Sequence, residues 1–207
     1  MVTAPESPDA IRARNQTRRE ATRMRIIQGA ARALAKTGID AASVQTILDA
    51  AGVSRRTYYQ FFADKEAVLV AIFERWVEHF IRRQQLAMDG EGSGIERVLR
   101  GQAVYLDFAS MSGVLVRELI REAQRPGGPL LAARQTMHEN LQALLCETWQ
   151  QAEGGELDPL LARSLVLFNE ALTVHVLTQS QSSVQEIGRA RRLLGETTRR
   201  LLQDPPL

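Results

Sequence analysis

The sequence predicts an all-α fold of about nine helices, a short N-terminal three-helix unit followed by a longer helical bundle. Three observations carry this. Apolar residues recur at three- and four-residue spacing over long stretches, no stretch alternates apolar and polar residues with a period of two, and Gly, Pro and Ser clusters fall at helix-length intervals. The chain of 207 residues is 44% hydrophobic and 24% charged, enough to bury one large core or two small ones.

Residues 1–17 mix Pro, Ser, Asp and Arg without apolar periodicity and read as a flexible basic arm. From about Arg18 to Lys36, the apolar positions Ile26, Ile27, Ala30, Ala31 and Leu34 form one helix face, which Gly38 stops. Ser43 is a cap for a short helix carrying Val44, Ile47 and Leu48. Ala51, Gly52 and Val53 break the chain, and Ser54 caps the next short helix, to about Gln60. Asp64 caps a longer helix, from Lys65 to about Met88. Helical patterns then run from Ile95 to Ala109, Gly113 to Ala123, Leu130 to Glu153, Asp158 to Thr178 and Ser183 to Leu202. Loops rich in Gly, Pro or Ser separate most of them.

Charge is unevenly spread. Met1 to Lys65 holds 11 basic and 6 acidic residues, whereas Glu66 to Leu207 holds 15 and 18. A cationic first third on an acidic body points to nucleic acid or a charged surface. The single cysteine, Cys146, excludes an intrachain disulfide and a cysteine-based structural zinc site. No apolar run approaches a membrane span, and residues 1–20 lack the apolar region of a signal peptide, so a cytoplasmic protein without membrane contact is expected. His79, His138 and His175 lie on different predicted helices without metal-ligand spacing, and the glycines at 90, 92 and 94 lack the ending of a phosphate loop. Neither catalysis nor a cofactor or metal is expected.

Two short helices around a Gly-containing three-residue turn form a helix-turn-helix, whose second helix enters the DNA major groove. At 100° per residue, Ser54, Tyr58, Phe61 and Phe62 share one side, while Arg55, Arg56, Tyr59 and Gln60 share the other. Arg suits bidentate contact with guanine and Gln with adenine. The helix N-termini near Ser43 and Lys65 offer free N–H groups to phosphates. The arm adds Arg12, Arg14, Arg18 and Arg19, either for the minor groove or as a solvated tail.

The stretch from Arg25 to Val68 resembles the DNA-binding domain of TetR-type (tetracycline-repressor-like) transcriptional regulators. The residues that carry it are Ile26, Ile27, Ala30, Ala31, Leu34, Gly38, Ser43, Val44 and Ile47, then Ala51-Gly52-Val53-Ser54-Arg55-Arg56-Thr57-Tyr58-Tyr59, with Phe62, Lys65 and Glu66. The resemblance implies a DNA-binding domain at 18–64 and a ligand-binding and dimerisation domain at 65–207. It implies a homodimer that represses from a pseudo-palindromic double-stranded operator and is released by a small-molecule effector. Carried over by position, Ser43 contacts phosphate, Ser54 caps the recognition helix, Arg55, Arg56, Thr57 and Gln60 face base edges or nearby backbone, and Tyr59 and Lys65 clamp phosphates. Leu48, Arg56 and Phe61 depart from the family's usual residues, so helix packing and base preference cannot be borrowed.

In the remainder, Tyr105, Phe108, Met111, Met137 and Phe168, with Asn169 and Thr173, are candidates for an effector pocket, with plain core as the alternative for each. The Asp158–Thr178 helix is apolar over about 200° of its wheel and must be covered on two sides. By the resemblance, Leu161, Leu165 and Leu172, with Ile187, Leu194 and Leu201 of the last helix, belong to a four-helix dimer interface. Two other readings stay open: a constitutive or architectural DNA-binding protein with no inducer, and an all-α ligand binder without DNA function.

Overall fold

The computed structural model describes residues 7–111, 113–178 and 184–203, with the side chains at 8, 108–111, 178 and 184 outside the description. Nine helices and no strand occur among the described residues: α1 (Pro8–Thr37), α2 (Val44–Ala51), α3 (Arg55–Tyr59), α4 (Lys65–Met88), α5 (Gly94–Met111), α6 (Val114–Ala123), α7 (Leu131–Glu153), α8 (Pro159–Thr178) and α9 (Val184–Gln203). The contacts divide the chain into Met1–Ile72 and Phe73–Leu207, within α4.

In the first unit, α1 begins at Pro8, so the segment expected as an arm is helical from there to Thr17. Its residues are exposed, and local devices hold the turns instead of burial. The Ser7 side chain accepts from the Ala10 N–H, Pro8 follows the cap, Asp9 pairs with Arg12, and Gln16 donates to Glu20. At the other end Gly38 turns the chain out at φ 83°, its N–H bonded to the Leu34 carbonyl at 2.8 Å. Ser43 and Thr46 form a capping box on α2, and Gly52 ends α2 in the left-handed region at φ 62°.

The core of this unit is built from Ile26, Ala30 and Leu34 of α1, Ile47 of α2, and Tyr58 of α3, all essentially buried. Leu48 is buried as well, accommodated where α1 and α2 meet. The close point is Gly29, where a Cβ would lie 2.5 Å from the Ala51 Cα. Arg32 fastens the same junction by donating to the Ala50 carbonyl at 2.8 Å, which caps the end of α2.

In the second unit, α8 packs against α5, α6, α7 and α9. Trp76 stacks with Phe73 and Phe80, and Phe80 meets Tyr105 edge-on at 4.8 Å between ring centroids. Arg97 and Arg100 donate to the carbonyls of Met88 and Ala87, closing the end of α4. By length and composition, residues Pro159–Leu177 of α8 pass as a membrane span, contrary to the expectation that no run comes close. Their placement has a different cause: 44% of the segment is buried against the bundle, and it carries a charged residue to the centre.

That residue is Glu170, 4% exposed. Arg134 grips its carboxylate with Nε at 2.9 Å and Nη2 at 2.5 Å, His138 Nε2 lies at 3.0 Å, and Gln124 Nε2 at 3.2 Å. Burial pushes the Glu170 pKa up, but the hydrogen bonds from His138 and Arg134, and their charges, outweigh it and hold the carboxyl at about 2.

Two outcomes follow. Gly29→Ala gains up to about 1 kcal/mol of helix propensity, but the added carbon meets backbone, so overpacking of about 1–3 kcal/mol prevails and the urea midpoint falls; a rise would mean that the junction yields freely. For Glu170, the folded pKa lies below the unfolded one, so its stabilisation is complete above about pH 4.5 and is lost as pH falls through about 2. Urea unfolding across that window should weaken steeply in the parent chain and less so in Glu170→Gln; parallel slopes would contradict the assignment.

Candidate functional site

The turn between α2 and α3 creates an exposed polar face by burying one aromatic side chain. Tyr58 is fully buried and its hydroxyl donates to the Asp64 carbonyl at 2.7 Å. Burial, with the nearby Asp64 charge, pushes its pKa up to about 12, so the phenol stays a neutral donor. Ser54 caps α3 by accepting from the Thr57 N–H at 3.1 Å, and the two hydroxyls lie 2.9 Å apart. With Tyr58 inward and the cap fixed, Arg55, Arg56, Tyr59 and Gln60 are exposed and Thr57 is half-buried. Tyr59 stands edge-on to Tyr58, with ring centroids 5.4 Å apart. Arg55 donates to Gln45 Oε1 at 3.3 Å, tying α3 to α2.

Ser43 is exposed, but its side chain is used in the capping box, accepting from the Thr46 N–H while its own N–H donates to Thr46 Oγ1. The N–H groups of Val44 and Gln45 remain as first-turn donors for an anion. Lys65 is engaged differently from the expectation of a phosphate clamp alone. Its Nζ donates to the carbonyls of Ile39 at 2.9 Å and Asp40 at 3.4 Å, so it closes the turn after α1. An ammonium has three donors, and one is left over.

The sequence reading missed the surface beside α3. Asn15, Arg18, Arg19 and Thr22 of α1 share an open concavity of about 620 Å³ with Thr57 and Gln60. Its wall includes Phe61, over which the Arg19 guanidinium lies 5.6 Å from the ring centroid, while Arg23 lies 5.5 Å over Phe62. The signal was present. Ser7, Pro8 and Asp9 form a helix start, and extending the helical period from that cap puts Asn15 on the same helix as Arg18, Arg19 and Thr22.

In the second unit, Tyr105, Met137, Asn169 and Thr173 are buried and Phe168 is half-buried, while the side chains of Phe108 and Met111 lie outside the described residues. Tyr105 and Asn169 border a cavity of about 20 Å³, lined also by Gln84, Met88, Gln102 and Leu141, room for about one water. Met137, Phe168 and Thr173 do not line it. Gln102 Nε2, Asn169 Oδ1 and Thr173 Oγ1 are buried without a hydrogen-bond partner among the described residues. Gln102 was not foreseen, although it shares the inner face of α5 with Val98 and Leu106. The Tyr105 phenol is pushed well above its usual pKa by burial and then by the Glu170 charge.

Of the residues expected at a dimer interface, Leu165 and Leu194 are core, at 1% and 3% exposure, and Leu161, Leu172, Ile187 and Leu201 are half-buried. The apolar groups that α8 and α9 leave exposed are Leu160, Leu167 and Leu193. The helix period puts these one step away from the predicted stripe, since coverage by α5 and α7 decides which side of α8 faces inward. His138 belongs to the Glu170 cluster, and among the described residues no group of three or more His, Cys, Asp or Glu side chains converges as a metal site. Cys146 is half-buried, its thiol pKa raised first by burial and then by Asp158.

Comparison with known proteins agrees with this geometry. Residues 26–72 match the family model of bacterial regulatory proteins of the tetR family. The fatty acid metabolism regulator protein of Bacillus subtilis is 26% identical over 173 residues, 76% of this chain and 85% of that protein. A TetR-family transcriptional regulator from Pectobacterium atrosepticum superposes with a TM-score of 0.71 at 20% identity, covering 87% of this chain and 94% of its own. The regulator FadR from Bacillus subtilis, solved with stearoyl-CoA, gives 0.61 at 22% identity, covering 83% and 96%. The helix-turn-helix unit thus matches the tetR family model over residues 26–72, and the all-helical remainder is similar in fold to TetR-family transcriptional regulators.

Proposed function

We propose that the chain is a repressor that binds a pseudo-palindromic DNA operator as a homodimer and leaves it when a small, largely apolar ligand binds the second unit. The observation that carries the DNA reading is the exposed face of Arg55, Arg56, Tyr59 and Gln60 on a recognition helix, flanked by Arg18 and Arg19 of α1. Arg56 and Gln60 read base edges, and Arg55 and Thr57 contact bases or nearby backbone. The α2 N-terminus at Ser43, Tyr59 and the remaining Lys65 proton meet phosphates. In this reading α1 contributes a helical phosphate-binding surface rather than a disordered arm. A cytoplasmic location goes with this function.

Dimerisation is assigned to α8 and α9 through the exposed Leu160, Leu167 and Leu193, with Leu161, Leu172, Ile187 and Leu201 at its margin. The effector belongs to the interior bordered by Tyr105 and Asn169, where unsatisfied polar atoms offer hydrogen bonds. Two relatives name fatty acid metabolism or a stearoyl-CoA complex, which favours an acyl chain as its apolar part. The ligand shifts the balance between a DNA-binding and a released arrangement, and by linkage DNA weakens ligand binding by the same factor. One observation favours a second reading, a regulator with no effector: the interior cavity of about 20 Å³ admits only a water. Release of operator by stearoyl-CoA decides between the two.

Selection from a random DNA pool should return an inverted repeat with half-site centres about 34–36 Å apart, or a multiple of that. On that operator, Arg56→Ala should cost about 1–3 kcal/mol of specific binding and little on random DNA; equal losses on both would remove Arg56 from base reading. Arg18→Ala with Arg19→Ala should weaken all DNA alike and reduce the slope of log affinity against log salt by about 1.8, for two phosphates at about 0.9 each. An unchanged slope would detach α1 from the interface.

A further inference from the structure

Between α5 and α9 the second unit has a half-open groove of about 300 Å³, which shares Gln102 with the interior cavity and lies on the other side of α9 from Leu193. Its floor is apolar, formed by Leu99, Ala103, Leu106 and Leu194. Its rim is cationic, with Arg191, Arg192 and Arg199 against Glu196 alone. Asp107 neutralises Arg191 through an ion pair, and no ion pair engages Arg192 or Arg199 among the described residues. Two unpaired guanidinium groups against one carboxylate leave the rim about one positive charge in excess.

The groove wall carries no side chain at Gly195. A Cβ at Gly195 would lie 3.9 Å from Leu99 Cδ2 and 3.8 Å from the Arg199 guanidinium, and one at Gly188 would lie 3.8 Å from that of Arg192. The two arginines therefore lie back along the strip of α9 where side chains are missing. The groove also reaches Gln102, 6% exposed, whose Oε1 accepts from Thr198 at 2.9 Å while its Nε2 has no partner. A buried donor without an acceptor is unfavourable, so the site lacks an acceptor as well as a negative charge.

We propose that this groove binds a free monoanionic amphiphile, a carboxylate carrying an aliphatic chain. The chain covers Leu99, Leu106 and Leu194, and the carboxylate, an acceptor with one negative charge, answers Arg192, Arg199 and the Gln102 amide. A volume at the lower edge of the roughly 300–1,000 Å³ of small-molecule pockets suits one short chain rather than a bilayer surface. The site requires neither DNA nor the interior pocket, so it stands or falls apart from the repressor reading.

The test is calorimetric titration of the DNA-free full chain with monomeric dodecanoate and, at the same chain length, dodecyltrimethylammonium. The anion should bind at least tenfold more tightly. Arg192→Glu with Arg199→Glu, both at exposed positions, should weaken dodecanoate at least tenfold and reverse the preference, while the charge-matched Arg75→Glu with Arg82→Glu, exposed on α4 outside the groove, should leave both affinities unchanged. Equal affinity for the two probes, indifference to the Arg192 and Arg199 changes, or an equal loss of binding in the α4 control would each overturn the groove assignment. So would sedimentation with phosphatidylglycerol vesicles by a chain that does not bind the free carboxylate.

Discussion

The exposed polar face of α3 depends on one steric constraint, the contact of α1 and α2 at Gly29 and Ala51, where a Cβ would come within 2.5 Å of backbone. Because nothing projects from α1 there, α2 lies close enough to bury Ile47 and Leu48 in the shared core. The left-handed turn at Gly52 then sets the direction of α3. Tyr58 completes the arrangement: once its ring is buried and its hydroxyl bonded to Asp64, the rotation of a five-residue helix is fixed. A helix this short has no stability of its own, since nucleation is unfavourable, so the position of Arg55, Arg56 and Gln60 is set by tertiary packing and a cap.

The second unit resolves a different conflict. Its central helix α8 is apolar enough to pass for a membrane span, yet it carries Glu170 into the core. Such a carboxylate is tolerated only because Arg134, His138 and Gln124 converge on it from outside α8. Replacing the cluster with apolar side chains could leave stability unchanged, whereas removing Arg134 alone strands a charge and costs about 3–5 kcal/mol. The cluster therefore fixes which face of α8 turns toward α7, a choice that apolar periodicity alone leaves open. It also directs Leu160 and Leu167 away from the core.

This explains what the sequence made legible. Helix boundaries followed from local chemistry and were readable: Ser43, Ser54 and Asp64 cap as their types and positions imply, and Gly38, Gly52 and Gly154 stop helices. The early start of α1 was equally local, but the absence of apolar residues hid it, because periodicity detects burial and this segment is exposed throughout. Facing was less legible. Leu165 and Leu194 lie on apolar stripes that serve either core or interface, and only the neighbouring helices decide. Lys65 shows the same limit, since a cation at a helix start suits a phosphate and two carbonyls of the preceding turn equally well.

The unsatisfied atoms of the second unit follow from these choices. Gln102 and Asn169 are buried where α5 and α8 meet, beside a cavity too small to supply more than one water, and Thr173 is buried away from that cavity. Three groups cannot all be answered by one water in a single position, so closure costs the bundle part of its hydrogen bonding. A ligand that separates these helices and supplies polar atoms recovers that loss, and the recovered energy is differential, because it exists only in the opened arrangement. A closed, under-satisfied interior is therefore compatible with a ligand-responsive protein: the cavity measures the resting arrangement, and the unpaired atoms indicate where another arrangement would gain.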